Sequence, residues 1–447
     1  MKRLFWIILL VALGTMASAQ SRGSYFFENS LLRSKLNPAF APKTDYASFP
    51  GVGSFSADMA GNVGLQHFLF PQGDANYLYL SDNVPTEQFL SGLPERDPYL
   101  QERVESDLFG FGMKVGRDGF ATLSLSLVEN GHFTVSGDLL RYTKSRSSVT
   151  KESFEGGSAD LAGYAALAAG YSRDLGSLVQ GLRAGVRVKL LIGLSAGRFA
   201  VDRMGMQFSP DQVSATVHGT GALAGIKYGS ADGLSLASPG LRSLGAAIDL
   251  GASYWLPIDN AGTLNGIELS ASVCDLGGLR YRNDVSSLSL DHQFTFSGIE
   301  DLTGDVKAGF EQVIGDIRAF TEIDSSAGEP FFHRLPASIH IGVTAHLWQD
   351  KANAGLLYYH AVGHSNVMVA GGVSPTQWLN LGVNWTFLGP ANRLGCYAEF
   401  IPKKYFGVFL GMECASLRHN ASHIPIRNFT ESFAFGVNVL FGNNRGQ

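Results

Sequence analysis

The chain has 447 residues, of which only 16% are charged, with 34 basic and 39 acidic side chains. This slightly acidic balance excludes a nucleic-acid-binding protein, which would need a basic stripe. The three cysteines Cys274, Cys396 and Cys414 are odd in number and widely spaced, so we expect no disulfide framework, no metal site and no cofactor held by them.

The first residues predict a secretory signal peptide. Lys2 and Arg3 precede the apolar run 4–13, and a small-residue site ending at Ala19 follows. The apolar run is far shorter than the ~20 residues of a membrane-spanning helix. We therefore expect residues 1–19 to be removed and the mature chain to begin near Gln20.

Residues 20–50 predict a plug-like segment rather than a wall strand. The aromatic run 25–27 is followed by 36–42, which contains Pro38 and Pro42. Proline lacks the N–H that a central strand must donate, so this stretch suits a position inside or beneath a barrel. We assign a ligand or plug role to Asn37, Pro38, Ala39 and Phe40.

The clearest predicted strand covers 182–195, where every even position from Leu182 to Leu194 is apolar. Its odd positions hold Arg183, Arg187 and Lys189 among small residues. The run exceeds the ~9–11 residues with which a tilted strand crosses a bilayer. A lipid-facing Lys or Arg costs about 2–4 kcal/mol near the midplane, so these charges are predicted to point inward.

The same alternation recurs along the chain and predicts the fold class. Apolar positions alternate with small or polar ones in 122–127, 244–251, 339–347, 379–387 and 432–441. The glycine-rich and polar face favours a barrel interior over the charged wet face of a soluble sandwich. We predict an all-β, closed antiparallel transmembrane barrel of about 14–16 strands over 51–441, followed by a C-terminal tail, 442–447.

Long connectors are predicted between several strands, whereas other strands are joined by short turns. The connectors are 83–107, 143–160, 219–241, 299–336 and 415–429. Within the fourth, apolar residues of 302–323 fall at helical spacing and predict a short loop helix. Short turns at one end and long loops at the other are typical of outer-membrane barrels.

Inward faces carry charges of both signs. Asp249, Glu268 and Glu413 fall on predicted inward faces, as do the three basic residues of 182–195. Two interpretations stay open: ion pairs that narrow the lumen, or a pore lining that selects ions or polar solutes. The first is favoured because buried charges need partners.

No enzyme is predicted. Residues 193–197 match G-x-S-x-G around Ser195, but they end a long strand and lack the strand-to-helix turn of that motif. His340 and His346 share a strand face, yet six residues span about 20 Å in an extended chain, too far for one metal ion.

The chain resembles an uncharacterised outer-membrane barrel family of the Bacteroidetes. The resemblance rests on the signal peptide and on short motifs at 36–40, 171–173, 185–193, 250–254 and 273–277. The Asn37-Pro38-Ala39 element is also similar to the N-terminal segment of the long-chain fatty-acid transporter superfamily, which includes a type IX secretion shuttle barrel. The resemblance implies a barrel of about 14 strands with an N-terminal plug.

The expected location is the bacterial outer membrane, with its lipid as the surrounding partner. The first functional hypothesis is passage of a small lipophilic molecule. The alternative is a non-transporting partner of a secretion system or a surface scaffold.

Overall fold

The structure is a computed structural model. It describes residues 22–28, 30–50, 53–64, 67–72, 75–145, 151–209, 212–229, 233–236, 243–260, 262–296, 324–361, 363–388, 392–402, 406–414 and 429–441. The predicted signal peptide, the predicted helix at 302–323 and the C-terminal tail lie outside these ranges.

Strands account for most of the described chain. In chain order they are β1 (Asp45–Ser48), β2 (Phe55–Gly61), β3 (Leu69–Gln72), β4 (Ala75–Leu78), β5 (Tyr99–Val115), β6 (Gly119–Val135), β7 (Lys151–Phe154), β8 (Gly157–Asp174), β9 (Leu182–Ser209), β10 (Gln212–Ala224), β11 (Ile226–Gly229), β12 (Gly233–Leu236), β13 (Ser243–Asn260), β14 (Leu264–Tyr281), β15 (Val285–Phe296), β16 (Asp324–Ala327), β17 (Phe331–Arg334), β18 (Ser338–Leu347), β19 (Ala352–Ala361), β20 (His364–Thr376), β21 (Leu379–Phe387), β22 (Arg393–Phe400), β23 (Phe406–Cys414) and β24 (Phe429–Phe441). The described helices are a 3-10 turn at Arg22–Phe26, α1 (Arg33–Leu36), α2 (Thr86–Gly92) and α3 (Gly137–Ser145).

The sheet closes on itself through its first strand. β1 and β2 together form one interrupted wall strand, which pairs with β24 on one side and β5 on the other. The wall then runs through β6, β8, β9, β13, β14, β18 and β19 to β24, each pair antiparallel. The result is a closed antiparallel barrel of 14 strands, which confirms the predicted fold class.

An apolar belt covers the outside of the wall. On β9, Val188 and Leu190 are 53% and 47% exposed, whereas Leu191 is fully buried. Val383 on β21 is 67% exposed. Exposed apolar side chains that alternate with buried ones on every second residue fit a hydrocarbon environment, so the predicted register of these strands is confirmed. No helix among the described residues is long and apolar enough to span a membrane.

The two ends of the barrel differ. Tight turns join β5 to β6, β18 to β19 and β20 to β21 at one end, here named the short-turn end. α2 and α3 lie in the longer connections at the opposite end, here named the long-loop end. β9 has 28 residues and extends beyond the barrel wall at the long-loop end. Its first half pairs with β13 and its second half pairs with β10. β10 and β15 continue the lines of β13 and β14 above the barrel.

Four predicted connectors are shorter than expected, because strands lie inside them. β7 and the start of β8 lie inside 143–160, and the end of β10 with β11 and β12 lies inside 219–241. β5 begins at Tyr99, inside the predicted connector 83–107, and β16 and β17 lie inside 299–336. β5 was hidden in the sequence because Glu102, Arg103, Glu105 and Asp107 interrupt the apolar alternation of its first half. These residues of β5 nevertheless form a strand, because each pairs with a residue of the neighbouring strand β2 or β6.

Val188→Arg tests the position of the membrane on the wall. Val188 lies near the middle of the lipid-facing part of β9, so the substitution is expected to lower the free energy of unfolding by about 2–4 kcal/mol. Leu178→Arg is the control, because Leu178 is 77% exposed in the turn before β9. Urea unfolding in vesicles measures both. Equal losses in the two variants would contradict the assignment of the belt.

Candidate functional site

The N-terminal segment, described over residues 22–28 and 30–44, occupies the lumen and is here named the plug. Ser24, Tyr25, Asn37 and Ala39 are fully buried although they belong to no wall strand. The segment turns first as the 3-10 helix and then as α1, and it joins the wall at β1 on the short-turn end. The lumen of this barrel is therefore filled by its own chain.

One half of the plug is aromatic. Phe26 and Phe27 are 1% and 3% exposed, and the Tyr25 hydroxyl lies 2.9 Å from Ser270 Oγ on β14. A second hydroxyl contact joins Ser30 to the wall, with its Oγ 2.9 Å from the Tyr397 hydroxyl on β22. The wall residues packed against this half are Leu357, Tyr359, Met368, Ala370, Tyr397, Phe409 and Ala434. This side of the lumen thus holds an apolar cluster, with the charged side chains of Arg393, Glu399 and Glu413 buried on the same wall.

Glycines in the wall make room for the aromatic rings. A Cβ at Gly372 on β20 would lie 2.4 Å from Phe27 Cζ, closer than carbon atoms approach. The neighbouring Gly371 faces outward, where a Cβ would meet nothing within 4 Å. Only glycine at 372 lets the ring lie flat against the strand.

Asn37 fixes the turn that ends α1. Its Nδ2 donates to the carbonyl oxygens of Ala252, at 3.2 Å, and Ala271, at 3.3 Å, on two neighbouring strands. Its Oδ1 accepts from the backbone N–H of Ala39 at 2.9 Å. A Cβ at Gly251 would lie 2.0 Å from that Oδ1, so the wall backbone approaches Asn37 closely.

Pro38, Ala39 and Phe40 follow this anchor. The Pro38 carbonyl passes over Gly185 on β9, where a Cβ would lie 2.1 Å from its oxygen. Phe40 packs edge-on against Tyr25, and the Arg33 guanidinium lies 3.6 Å above the Phe40 ring centroid. The four residues of the Asn-Pro-Ala-Phe element therefore hold the plug in its fold and against the wall.

The other half of the plug is basic and faces carboxylates. Lys35 Nζ lies 2.8 Å from Asp107 and 3.1 Å from Glu105, both on β5. Arg33 lies 2.5 Å from Glu268 on β14. Burial disfavours the Lys35 ammonium, but Asp107 and Glu105 outweigh that cost and raise the pKa of Lys35 above its usual value. Lys35 therefore stays charged at neutral pH.

The wall continues this chain of charges, here named the lumenal network. Arg187 on β9 lies 2.6 Å from Asp249, and Lys189 lies 3.0 Å from Asp249 and 2.6 Å from Asp275. Arg103 on β5 lies 3.5 Å from Asp275. The network joins the plug where Arg187 donates to the Lys35 carbonyl at 2.8 Å.

Asp275 enters the network through a break in strand register. Between Ile248 and Leu250 the pairing of β13 with β14 shifts, and Asp275 adopts a positive φ of 62°. Its backbone N–H donates to Asp249 Oδ1 at 2.7 Å. The β-bulge therefore turns one additional carboxylate into the lumen.

The structure separates the other predicted lumen charges. Arg183 lies near the short-turn end, where it donates to the Asp118 carbonyl at 3.4 Å. Glu268 pairs with Arg33 of the plug. Glu413 lies on the opposite wall, 4.0 Å from Arg393, and accepts from Asn384 at 3.2 Å. Only Arg187, Lys189 and Asp249 of the predicted set contact one another.

Sequence reasoning missed more than half of the network. Lys35, Arg103, Glu105, Asp107 and Asp275 were not among the predicted lumen charges. The signal available for β5 was the odd-numbered spacing of 103, 105 and 107, which places these side chains on one face of a strand. The bulge that turns Asp275 inward has no such signal.

The residues considered for catalysis or metal binding lie apart. Ser195 belongs to β9, which continues unbroken to Ser209, so it has no strand-to-helix turn. His340 packs against Tyr25, whereas His346 lies near Asp350 and Trp255. Over the described ranges, no three His, Cys, Asp or Glu side chains are grouped so as to hold a metal ion.

Gly372→Val tests the packing of the plug against the wall. The added carbons would meet the buried Phe27 ring, and overpacking of this kind costs about 1–3 kcal/mol. Gly371→Val is the matched control on the adjacent residue, and it is expected to change stability little because its side chain would point outward. Urea unfolding in vesicles compares the two. A Gly371→Val loss as large as that of Gly372→Val would refute a filled lumen at this position.

Lys35→Met tests the electrostatic attachment of the plug. Removal of one partner leaves Asp107 and Glu105 buried without this cation, and such a loss costs about 3–5 kcal/mol. The double variant Lys35→Met/Asp107→Asn should recover part of that loss, because it also removes one of the uncompensated charges. A double-mutant cycle of unfolding free energies measures the coupling. Additive losses would show that Lys35 and Asp107 do not act as a pair.

Comparison with known proteins gives a family but no characterised relative. The family described as "Family of unknown function (DUF5723)" matches residues 38–412. No curated protein matches the sequence.

Several solved structures align with most of this chain at 10% sequence identity. The toluene transporter TbuX of Ralstonia pickettii has a TM-score of 0.41, with 95% of this chain and 98% of that chain covered. The toluene transporter TodX of Pseudomonas putida has a TM-score of 0.37, with 95% and 94% covered. The β domain of the Bordetella autotransporter BrkA has a TM-score of 0.30, with 89% and 98% covered. Likeness at this level says nothing about a ligand. The family match spans most of the sequence, and the chain belongs to the DUF5723 family of unknown function.

Proposed function

We propose that this chain is an integral outer-membrane barrel that passes a small, lipophilic or amphipathic molecule, with the plug as its gate. In this proposal the chain is exported by residues 1–19, which are cleaved near Ala19. The observation that carries the proposal is that the plug covers both an apolar cluster of the wall and the wall carboxylates that face Lys35 and Arg33.

The apolar side supports a lipophilic cargo. Leu357, Met368 and Ala370 line the lumen at places where a water-filled pore would carry polar groups. In the structure they contact Phe26 and its neighbours in the plug. If the plug moves, these wall residues become the lining of a passage that would favour an apolar molecule.

The charged side supports a gate rather than a permanent seal. Lys35 and Arg33 attach the plug through ion pairs, and Asn37 attaches it through two hydrogen bonds to wall carbonyls. Each of these groups is polar and regains hydrogen bonds with water when it is released. These attachments can therefore be exchanged for contacts with water when the plug moves, although the aromatic residues of the plug must also leave the wall.

A reversible disulfide between the plug and the wall tests the gate. A Cβ at Gly251 would lie 3.0 Å from Asn37 Cγ and 2.8 Å from Pro38 Cδ. Cysteines at 37 and 251 would therefore be close enough for a disulfide, whose Cβ atoms lie ~3.5–4.5 Å apart, once the plug shifts slightly away from the wall. Asn37→Cys/Gly251→Cys would be made with Cys274, Cys396 and Cys414 replaced by alanine. The single variant Asn37→Cys in the same background is the control for loss of the asparagine.

Uptake of the lipophilic dye N-phenyl-1-naphthylamine by cells that carry the double variant is the measurement. We expect uptake above that of cells without the protein under reducing conditions, and a fall to that background after oxidation. The single variant should not respond to oxidation. No uptake above background in the reduced state would contradict transport, and equal uptake in both states would contradict the plug as the gate.

The relation to type IX secretion that the sequence resemblance implies stays a prediction. It would require a protein partner, which crosslinking in the native membrane would recover.

A further inference from the structure

A chamber lies above the plug, towards the long-loop end. Its volume is about 390 Å³, within the range of roughly 300–1,000 Å³ for small-molecule sites. It is bounded below by Arg22, the first described residue of the plug, and at the side by Ala361, where β19 ends. We name it the vestibule.

The vestibule is lined by side chains with many hydrogen-bonding groups. Gln101 and Arg103 come from β5, His132 from β6 and His333 from β17. Asp58, Glu102, Asp160 and Asp275 supply carboxylates, and Arg22 and Arg334 supply guanidinium groups. All of these residues lie in the described part of the chain.

Several lining side chains keep buried polar atoms without a partner in the described structure. These atoms are Arg22 Nε and Nη1, Gln101 Oε1, Arg103 Nε, His132 Nδ1 and His333 Nε2. The guanidinium nitrogens are donors and the Gln101 oxygen is an acceptor, so hydrogen-bond donors and an acceptor both lack partners here. Unmet buried groups cost free energy, and a ligand with hydroxyls, which donate and accept, would supply partners after small rotations of these side chains.

The charges of the vestibule argue against an anionic ligand. Asp58, Asp160 and Asp275 are already held by Arg22 at 3.1 Å, His333 at 3.2 Å and Lys189 at 2.6 Å. With Glu102, the lining carboxylates outnumber the lining arginines. With Lys189 beside Asp275 the charges balance, so the lining offers no excess of cations to an additional carboxylate or phosphate, whereas a neutral molecule needs none.

Apolar surface completes the lining. Leu335, Pro336 and Ala361 contribute carbon-rich patches beside the polar groups. A sugar ring presents the matching pattern, with C–H groups on its faces and hydroxyls around its edge. We propose that the vestibule binds a neutral saccharide of up to two rings. This inference goes beyond the proposed function, because binding above the plug does not require the plug to open.

Titration of the full-length protein with sucrose, followed by saturation-transfer NMR, tests the inference. The protein is held in lauryldimethylamine oxide, a detergent without a sugar head group. The variants are Gln101→Leu and His333→Phe, which remove one unmet acceptor and one unmet ring nitrogen. The control is His218→Phe on β10, because the His218 side chain is 46% exposed and lies outside the vestibule lining.

Sucrose is expected to bind the wild type and the His218→Phe protein equally, and each vestibule variant about tenfold more weakly. Heat-modified mobility on gels verifies that each variant is folded. Failure of sucrose and glucose to bind the folded wild type would overturn the inference, as would binding that both vestibule variants leave unchanged. Binding of inorganic phosphate in place of sucrose would overturn the neutral-ligand assignment.

Dye uptake and sucrose binding separate this inference from the proposed function. A protein that binds sucrose but takes up no dye would keep the vestibule and lose the transport proposal. A protein that takes up dye under plug control but binds no sugar would give the opposite result.

Discussion

A barrel wall of 14 strands encloses more space than its own side chains fill, and this constraint governs the rest of the molecule. The N-terminal segment supplies the missing interior, with Tyr25 and Phe26 on one side and Lys35 on the other. Wall glycines such as Gly372 make room for these rings, because the side chain of any larger residue would occupy the space of Phe27. The plug is therefore part of the core of the folded barrel as well as its closure.

The charges of the lumen follow from the same constraint. A plug that carries Lys35 into a low-dielectric interior needs carboxylates beside it, and β5 provides Glu105 and Asp107. Glu105 also pairs with Arg103, Arg103 pairs with Asp275, and Asp275 pairs with Lys189. In the lumenal network cations and anions alternate from the plug to β9, so every charge has an opposite neighbour. Such an arrangement supports a closed lumen more than an ion-selective pore, because no run of one sign lines a passage.

The plug divides the interior into a sealed middle and an open chamber towards the long-loop end. The apolar wall around Met368 belongs to the sealed part, whereas Gln101 and His333 face the vestibule. A molecule that arrives from the long-loop side would meet polar groups first and the apolar wall only after the plug moves. The proposed recognition and the proposed passage thus depend on different residues, and different substitutions test them.

The sequence by itself determined the barrel, its closure and the facing of its regular strands, because a side-chain period of two is a local property that Leu190 and Lys189 display directly. It also marked 36–40 as something other than a wall strand, through Pro38. Only the tertiary structure decided that Asp275 points inward, since a β-bulge depends on the pairing of two strands. The partners of Arg33 and Lys35 were likewise undecided, because they lie 235 and 72 residues away along the chain. Alternation tells which face a residue occupies, but contacts across a lumen depend on strand register and on the path of the plug, which no local pattern contains.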